Sequence, residues 1–288
     1  MAGMDEPATG SIERISPLVR RVLAPNPSPF TYTGTQTYIV GAGEVAVIDP
    51  GPDLPEHLEA LGRALAGERV AAIVCTHTHR DHSPASRPLK ASTSAPIVGC
   101  APLSLDDDGP RADAAFDPDY GPDRVLVDGE TLAGPGWTLQ AVATPGHTSN
   151  HLCFALPEEE ALFTGDHVMG WSTTVVAPPD GDMADYMASL DKLRGRSDRI
   201  YFPAHGPAVE KPQAHVRALI GHRRMREKQI LSRLGEGEGR IDAMVAAMYR
   251  DVDPHLHPAA GRSVLAHLMD LERRGITLRE GEAWTLAV

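Results

Sequence analysis

The segment His77-Thr78-His79-Arg80-Asp81-His82 constrains this chain more than any other. It follows the apolar run Val70-Ala71-Ala72-Ile73-Val74, which reads as a buried strand. In an extended chain His77 and His79 point to the same side, because side chains alternate with period two. Asp81 and His82 lie just beyond, where the chain turns toward a helix. Crowded imidazoles repel one another when charged and lack partners when neutral and buried. One carboxylate cannot satisfy three of them. A divalent metal removes both difficulties.

Three further candidates each stand in a tight polar turn after an apolar run. Thr144-Pro145-Gly146-His147 follows Leu139-Gln140-Ala141-Val142, and Thr164-Gly165-Asp166 follows Ala161-Leu162-Phe163. Pro203-Ala204-His205-Gly206 follows Ile200-Tyr201-Phe202. Gly and Pro permit a sharp turn from which a ligand can project. The candidate set is therefore His77, His79, Asp81, His82, His147, Asp166 and His205, with no cysteine. Nitrogen plus carboxylate suits zinc, with iron or manganese as competitors.

The His-x-His-x-Asp-His pattern and the order of the later turns resemble the metallo-β-lactamase superfamily over at least residues 30–210. The resemblance implies an α/β fold, the αββα sandwich. It also implies two Zn2+ ions: one on His77, His79 and His147, the other on Asp81, His82 and His205, with Asp166 bridging. Asp49, at the end of a predicted strand, becomes a carboxylate behind the metal histidines that fixes an imidazole tautomer. Asp at 166 resembles the glyoxalase II and ribonuclease Z branches; the β-lactamases proper carry Cys or Ser there. His79 stands where flavodiiron oxidoreductases carry Glu.

A closer similarity, to the β-lactamase-like protein 2 group, lies in four places. These are Thr35-Gln36-Thr37-Tyr38, Arg80, Tyr186-Met187-Ala188-Ser189-Leu190, and the stretch from His222-Arg223 through Arg226-Glu227 to Gln229-Ile230. That group includes single-stranded-RNA endoribonucleases and polyketide-releasing thioesterases. Gln36 replaces its usual Asn, and Ser83-Pro84 its usual Ser-Gly.

With 288 residues the chain can form one large domain and a small one. The expected division is a catalytic domain over 1–234, including a basic helix over 208–234, and a winged-helix-like module over 235–288. No apolar run approaches the roughly 18 residues of a membrane span, and the polar, acidic stretch Met1–Gly10 is not a signal peptide. Cys75, Cys100 and Cys153 are an odd, widely spaced set; Cys75 and Cys153 lie in apolar runs and read as core. A reducing cytoplasm fits these features. The net charge of −12 argues against broad affinity for nucleic acid, double-stranded DNA included. Charge is uneven, however: residues 207–234 carry seven Lys/Arg against two Asp/Glu.

Strands are expected at Thr37–Val40 and Val45–Ile48, then near 137–143, 151–156, 160–164 and 199–202. Helices are expected at Leu54–Ala66 and Asp182–Leu193. The Pro-rich run Ala24 to Pro29 reads as an irregular loop after an N-terminal strand, and residues 99–123 as a long loop bordering the site. Gly235-Glu236-Gly237-Glu238-Gly239 reads as a linker. Beyond it, Ile241–Tyr249, Pro258–Arg274 and a hairpin around Glu280-Gly281 compose the small module. Its second helix carries Arg262, Arg273 and Arg274.

The resemblance implies a hydrolase in which two divalent ions about 3.5–4 Å apart share a hydroxide nucleophile, with Asp81 and Asp166 orienting it. Single-stranded RNA is the first substrate considered and an acyl- or glutathione thioester the alternative. A mononuclear iron persulfide dioxygenase is a further reading. An RNA alkoxide benefits from a general acid, for which His151, His167 and His222 are candidates. Arg223 and Arg224 are candidates for phosphate contacts. Homo-oligomerisation is left open.

Overall fold

The computed structural model describes residues 8–103 and 116–287. Two mixed sheets face each other. In the first, β1 (Ile12–Arg14), β2 (Val19–Leu23), β3 (Gln36–Ala42) and β4 (Glu44–Ile48) form an antiparallel meander. β5 (Arg69–Cys75), β6 (Ile97–Gly99) and β7 (Arg124–Val125) then extend it in parallel, giving seven strands in sequence order. The crossovers are α1 (Pro55–Ala64) and α2 (Ser86–Thr93). The second sheet has five strands: β8 (Thr131–Gly134), β9 (Trp137–Ala143), β10 (Leu152–Leu156), β11 (Ala161–Gly165) and β12 (Ile200–Pro203). Only β12 pairs in parallel, against β11. α3 (Met183–Arg194) and α4 (Pro212–Gly235) cover its outer face.

Side-chain alternation explains the layering. Leu152, Phe154 and Leu156 of β10 enter the core between the sheets, whereas Cys153 and Ala155 enter the core under α3 and α4. The inter-sheet core continues to Leu61 of α1 and Leu89 of α2. The result is the expected αββα sandwich. Cys75, Cys100 and Cys153 are free and buried. No helix among the described residues is long and apolar enough to cross a membrane.

α5 (Ile241–Met248), α6 (His257–Arg273) and the hairpin β13 (Thr277–Glu280) with β14 (Ala283–Leu286) form the C-terminal winged helix. Its core includes Met244, Val264, Leu268 and Trp284, closed by Ile230 and Leu234 from the end of α4. The same α4 contributes Val216, Leu219 and Ile220 to the core of the sandwich. One helix thus belongs to two cores and sets the module against the sandwich. Arg273 pairs with Asp182 at 2.7 Å and Arg274 with Glu227 at 2.6 Å. These cations are used in docking rather than presented to a partner.

Several expectations need correction. The Gly235–Gly239 segment is not a loose linker: Trp284 N–H donates to the Gly239 carbonyl at 2.9 Å, and Arg240 bridges to Ala283. β1, β6, β7 and β8 were not foreseen. Part of the long loop, 104–115, lies outside the described residues. Where it returns, Phe116 pairs with His79, and the Asp117 N–H donates to the Thr78 carbonyl at 2.6 Å.

Candidate metal centre

All seven predicted donors arrive at one edge of the sandwich, from the ends of strands. β5 delivers His77 and His79; the turn after it delivers Asp81 and His82, whose N–H donates to the His79 carbonyl at 2.9 Å. His147 follows β9, Asp166 follows β11 and His205 follows β12. Two turns require glycine. Gly165 has φ +49°, and a Cβ there would lie 2.6 Å from His151 Nε2. Gly146 has φ +135°, and its Cβ would lie 2.3 Å from Tyr186 Cα.

The donors form two groups: His77, His79, His147 and Asp166, and Asp81, His82 and His205. In the first, His79 Nδ1 lies 3.1 Å from both His77 Nε2 and His147 Nε2. In the second, Asp81 Oδ2 lies 3.1 Å from His205 Nε2 and 3.3 Å from His82 Nε2. Asp166 faces both. Its Oδ2 is 3.6 Å from His147 Nε2, and its Oδ1 is 3.2 Å from His205 Nε2.

The outer nitrogens of these rings have their own acceptors. His82 Nδ1 lies 3.1 Å from Asp49 Oδ2, His147 Nδ1 2.6 Å from the Val175 carbonyl and His205 Nδ1 3.2 Å from the Gly34 carbonyl. Asp49 also accepts from the Thr76 N–H and hydroxyl, both at 2.8 Å, and the Thr76 oxygen lies 3.0 Å from His77 Nδ1. These contacts give the outer nitrogens of His77, His82, His147 and His205 an acceptor and turn the inner nitrogens toward one another. Asp49 holds φ +47°, which Asp tolerates better than most residues.

The inward atoms are poorly satisfied. His82 Nε2 and Asp166 Oδ1 are buried without a hydrogen-bond partner. Burial, together with the adjacent His82 and His79, holds His77 well below the ordinary imidazole pKa. Burial also opposes charge on His205, but Asp166 and Asp81 outweigh it and push the group up to about 10. Against burial, His82 and His205 hold both Asp81 and Asp166 well below the usual carboxylate range. Without a metal, protons on His82 and His205 balance the two buried carboxylates, with no Lys or Arg paired to either of them among the described residues. A divalent cation fits that donor set.

A cavity of about 570 Å³ reaches the donors through His79, Asp81, His147, Asp166 and His205. One wall is the loop at Ser28–Thr31, whose place at the site sequence reading missed. Another comprises Met169 and the segment Trp171–Val175. The third comes from α4 and the winged helix: His222, Arg223, Arg226, Tyr249, Leu256 and Ala260 among others.

The candidates beyond the ligands separate. His222 and Arg223 line this cavity. His151 does not: it is buried, its Nε2 accepts from the Asp166 N–H at 3.2 Å, and its Nδ1 meets the Thr144 hydroxyl at 2.9 Å. It braces Asp166 and is not placed to protonate a leaving group. His167 is fully buried behind it, 4.7 Å from the Tyr186 ring, and also lies off the cavity. Arg224 is exposed and does not line the cavity. Gln36 buttresses the His205 turn, donating to the Gly206 carbonyl at 2.5 Å. Tyr186 and Ser189 of α3 pack under the His147 turn, and Ser189 donates to the Pro145 carbonyl at 2.8 Å.

Residues 31–205 match the family model of the metallo-beta-lactamase superfamily, and 241–284 that of the beta-lactamase associated winged helix domain. A beta-lactamase-like protein 2 homolog of Caenorhabditis elegans is 37% identical over 234 residues, covering 79% of this chain and 74% of that protein. An atrochrysone carboxyl ACP thioesterase of Aspergillus fumigatus is 36% identical over 229 residues, covering 78% of this chain and 67% of that one. Among solved structures, a beta-lactamase domain protein from Burkholderia ambifaria gives a TM-score of 0.80 at 20% identity, over 99% of this chain and 96% of that one.

Proposed function

The chain belongs to the metallo-β-lactamase superfamily and is a metal-dependent hydrolase, and from that premise we propose that it uses two metal ions to hydrolyse a thioester. The observation that carries this reading is the cavity: one pocket touching all but two of the seven donors, with Met169, Val175, Leu256 and Ala260 in its walls. An acyl chain fits such walls, and a thiolate departs without a general acid. The named activity of the Aspergillus relative supports the same class.

His77, His79, His147 and Asp166 would hold one ion, and Asp81, His82 and His205 the second, with Asp166 between them. Zinc suits these nitrogen and oxygen donors, and iron or manganese are the competitors. The two ions would supply Lewis acidity toward the carbonyl and an acidified water as nucleophile. Asp81 and Asp166 offer carboxylate oxygens to orient that water. Asp49 and the Val175 and Gly34 carbonyls fix the rings, and the apolar walls exclude bulk water from the acyl group. Three free buried cysteines support a reducing compartment such as the cytoplasm.

Single-stranded RNA is the second reading. The local excess of basic residues in α4 favours it. Against it, only Arg223 and Arg226 of the basic residues of α4 line the cavity, whereas Arg217, Arg224 and Lys228 are exposed and outside it, so few cations stand where a phosphodiester would react. The test is parallel assay of zinc-loaded protein on acyl thioesters and on labelled single-stranded RNA. Turnover of thioesters with inert RNA is expected; cleavage of RNA with inert thioesters overturns the reading.

A further inference from the structure

We propose that the cavity contains an anion subsite, formed by Arg223, Arg226 and His222 of α4, which binds a carboxylate on the acyl part of the substrate. This deepens the thioester reading for the same cavity and rests on it for the identity of the ligand's other half.

The subsite follows from unmatched charge. Arg223 is only 3% exposed and yet has no carboxylate partner among the described residues. One amine donates to the Thr174 carbonyl at 2.5 Å, the guanidinium lies 5.0 Å from the Tyr186 ring centre, and Nε is buried with no partner. Arg226 is half-buried, donates to Gln229 Oε1 and the Met248 carbonyl, and lies 4.1 Å from the Tyr249 ring centre. Its Nε is likewise buried and unpartnered. The nearby carboxylate Glu227 is taken by Arg274. A buried Arg223 with the half-buried Arg226 three residues on, neither paired to a carboxylate among the described residues, is costly unless a ligand supplies an anion.

The neighbours add donors, and the carboxylates among the cavity's described lining residues are the metal-facing Asp81 and Asp166. His222 Nδ1 is buried and unpartnered, and burial with Arg223 and Arg226 beside it drives that ring down to about 4. It is therefore a neutral ring, free to hydrogen-bond. Ser263 of α6 lines the same wall. All of these groups border the cavity that reaches the metal donors.

Two arginines suit one planar carboxylate, which guanidinium recognises by paired hydrogen bonds. They are too few for a polyanion. A group at this depth lies inside the cavity with the acyl chain, whereas the thiol half must leave toward solvent. The structure thus assigns recognition of the far end of the acyl group to α4 and the winged helix, and activation of its carbonyl to the strand ends.

The experiment is calorimetric titration of zinc-loaded protein with dicarboxylates from succinate to suberate and with monocarboxylates of matched length. The metal centre can take one carboxylate of either kind, so the difference reads the subsite. At one chain length the dicarboxylate should bind at least about tenfold tighter, equivalent to about 1.4 kcal/mol. Arg226→Gln and His222→Gln should each shrink that preference, because only the dicarboxylate gains from occupying the metal centre and the subsite together. Arg223→Lys tests the buried cation itself, with circular dichroism reporting its folding. Equal affinity at every length overturns the proposal, as does a preference that persists in both Arg226→Gln and His222→Gln. Because no turnover is needed, inert thioesters would remove the proposed function while leaving this result to stand or fall by itself.

Discussion

At the residue scale, the site depends on ring nitrogens being aimed inward by what lies behind them. Asp49 accepts from Thr76 and faces His82 Nδ1 at 3.1 Å. Replacing it with asparagine keeps the shape but supplies a poorer acceptor and a competing donor. Asp49→Asn should weaken metal affinity by about 10–100-fold, read by competition with a chromophoric chelator; unchanged affinity would remove the positioning role. Asp166 faces the site directly, with one oxygen toward each group of donors. Asp166→Ala should lower hydrolysis by roughly a thousandfold, a barrier rise of about 4 kcal/mol, in a protein that stays soluble. Activity assays with circular dichroism check both halves.

The donors were legible in the sequence because each sits beside a turn-forming Gly or Pro or inside a dense His/Asp run. Their supports were not. Nothing in the pattern distinguishes His151, which accepts from the Asp166 N–H, from a histidine that meets substrate. The direction of Arg223 into the cavity and of Arg224 into solvent depends on the rotation of α4, whose apolar positions serve two different cores in turn.

At the element scale, strands with clear apolar runs were foreseen and the short ones were not. β7 has two residues, and β8 shows only partial burial, so neither carries a strong alternation. The Ser28–Thr31 wall reads in sequence as a proline-rich loop, since only tertiary packing brings it to the site. The winged helix was recognised by element order, and its seat on α4 can be tested. Trp284 is 2% exposed in the core that Ile230 and Leu234 close. Trp284→Ala should cost about 3–5 kcal/mol in that core. Hydrogen exchange should then rise across α5, α6 and the hairpin, while β5 and β11 stay protected. Equal exposure of both parts would mean that they unfold as one unit.

Helix α1 carries a pH-dependent contact. His57 lies 2.9 Å from the Thr37 hydroxyl and 3.0 Å from the Pro50 carbonyl. Burial pushes its pKa down to about 4, against the opposing pull of the Pro50 carbonyl. An unfolded histidine titrates near 6.5. The folded value is the lower one, so the unfolded chain binds more protons in this window. The stability contributed by neutral His57 is complete above about pH 6.5 and is lost as pH falls through about 4, by up to about 1.4 kcal/mol per unit. In metal-free protein, urea unfolding between pH 7 and 5 should lose stability less steeply in His57→Gln than in the wild type. Parallel slopes would contradict this account of α1.

At the scale of the whole molecule, a chain of net charge −12 contains a basic α4 whose exposed cations lie off the cavity. Duplex DNA should therefore not bind measurably at about 0.15 M salt, where surface fields are screened within about 8 Å; fluorescence anisotropy with labelled duplex checks this. The sandwich brings strand ends from both sheets to one edge, and the winged helix closes a cavity over them. The proposed hydrolysis requires that edge to hold two cations. Metal content of the purified, zinc-reconstituted chain by plasma mass spectrometry tests it most directly. Two zinc ions per wild-type chain, falling to one or none in Asp166→Ala, is the predicted result; a wild-type chain that retains one ion or none would contradict it.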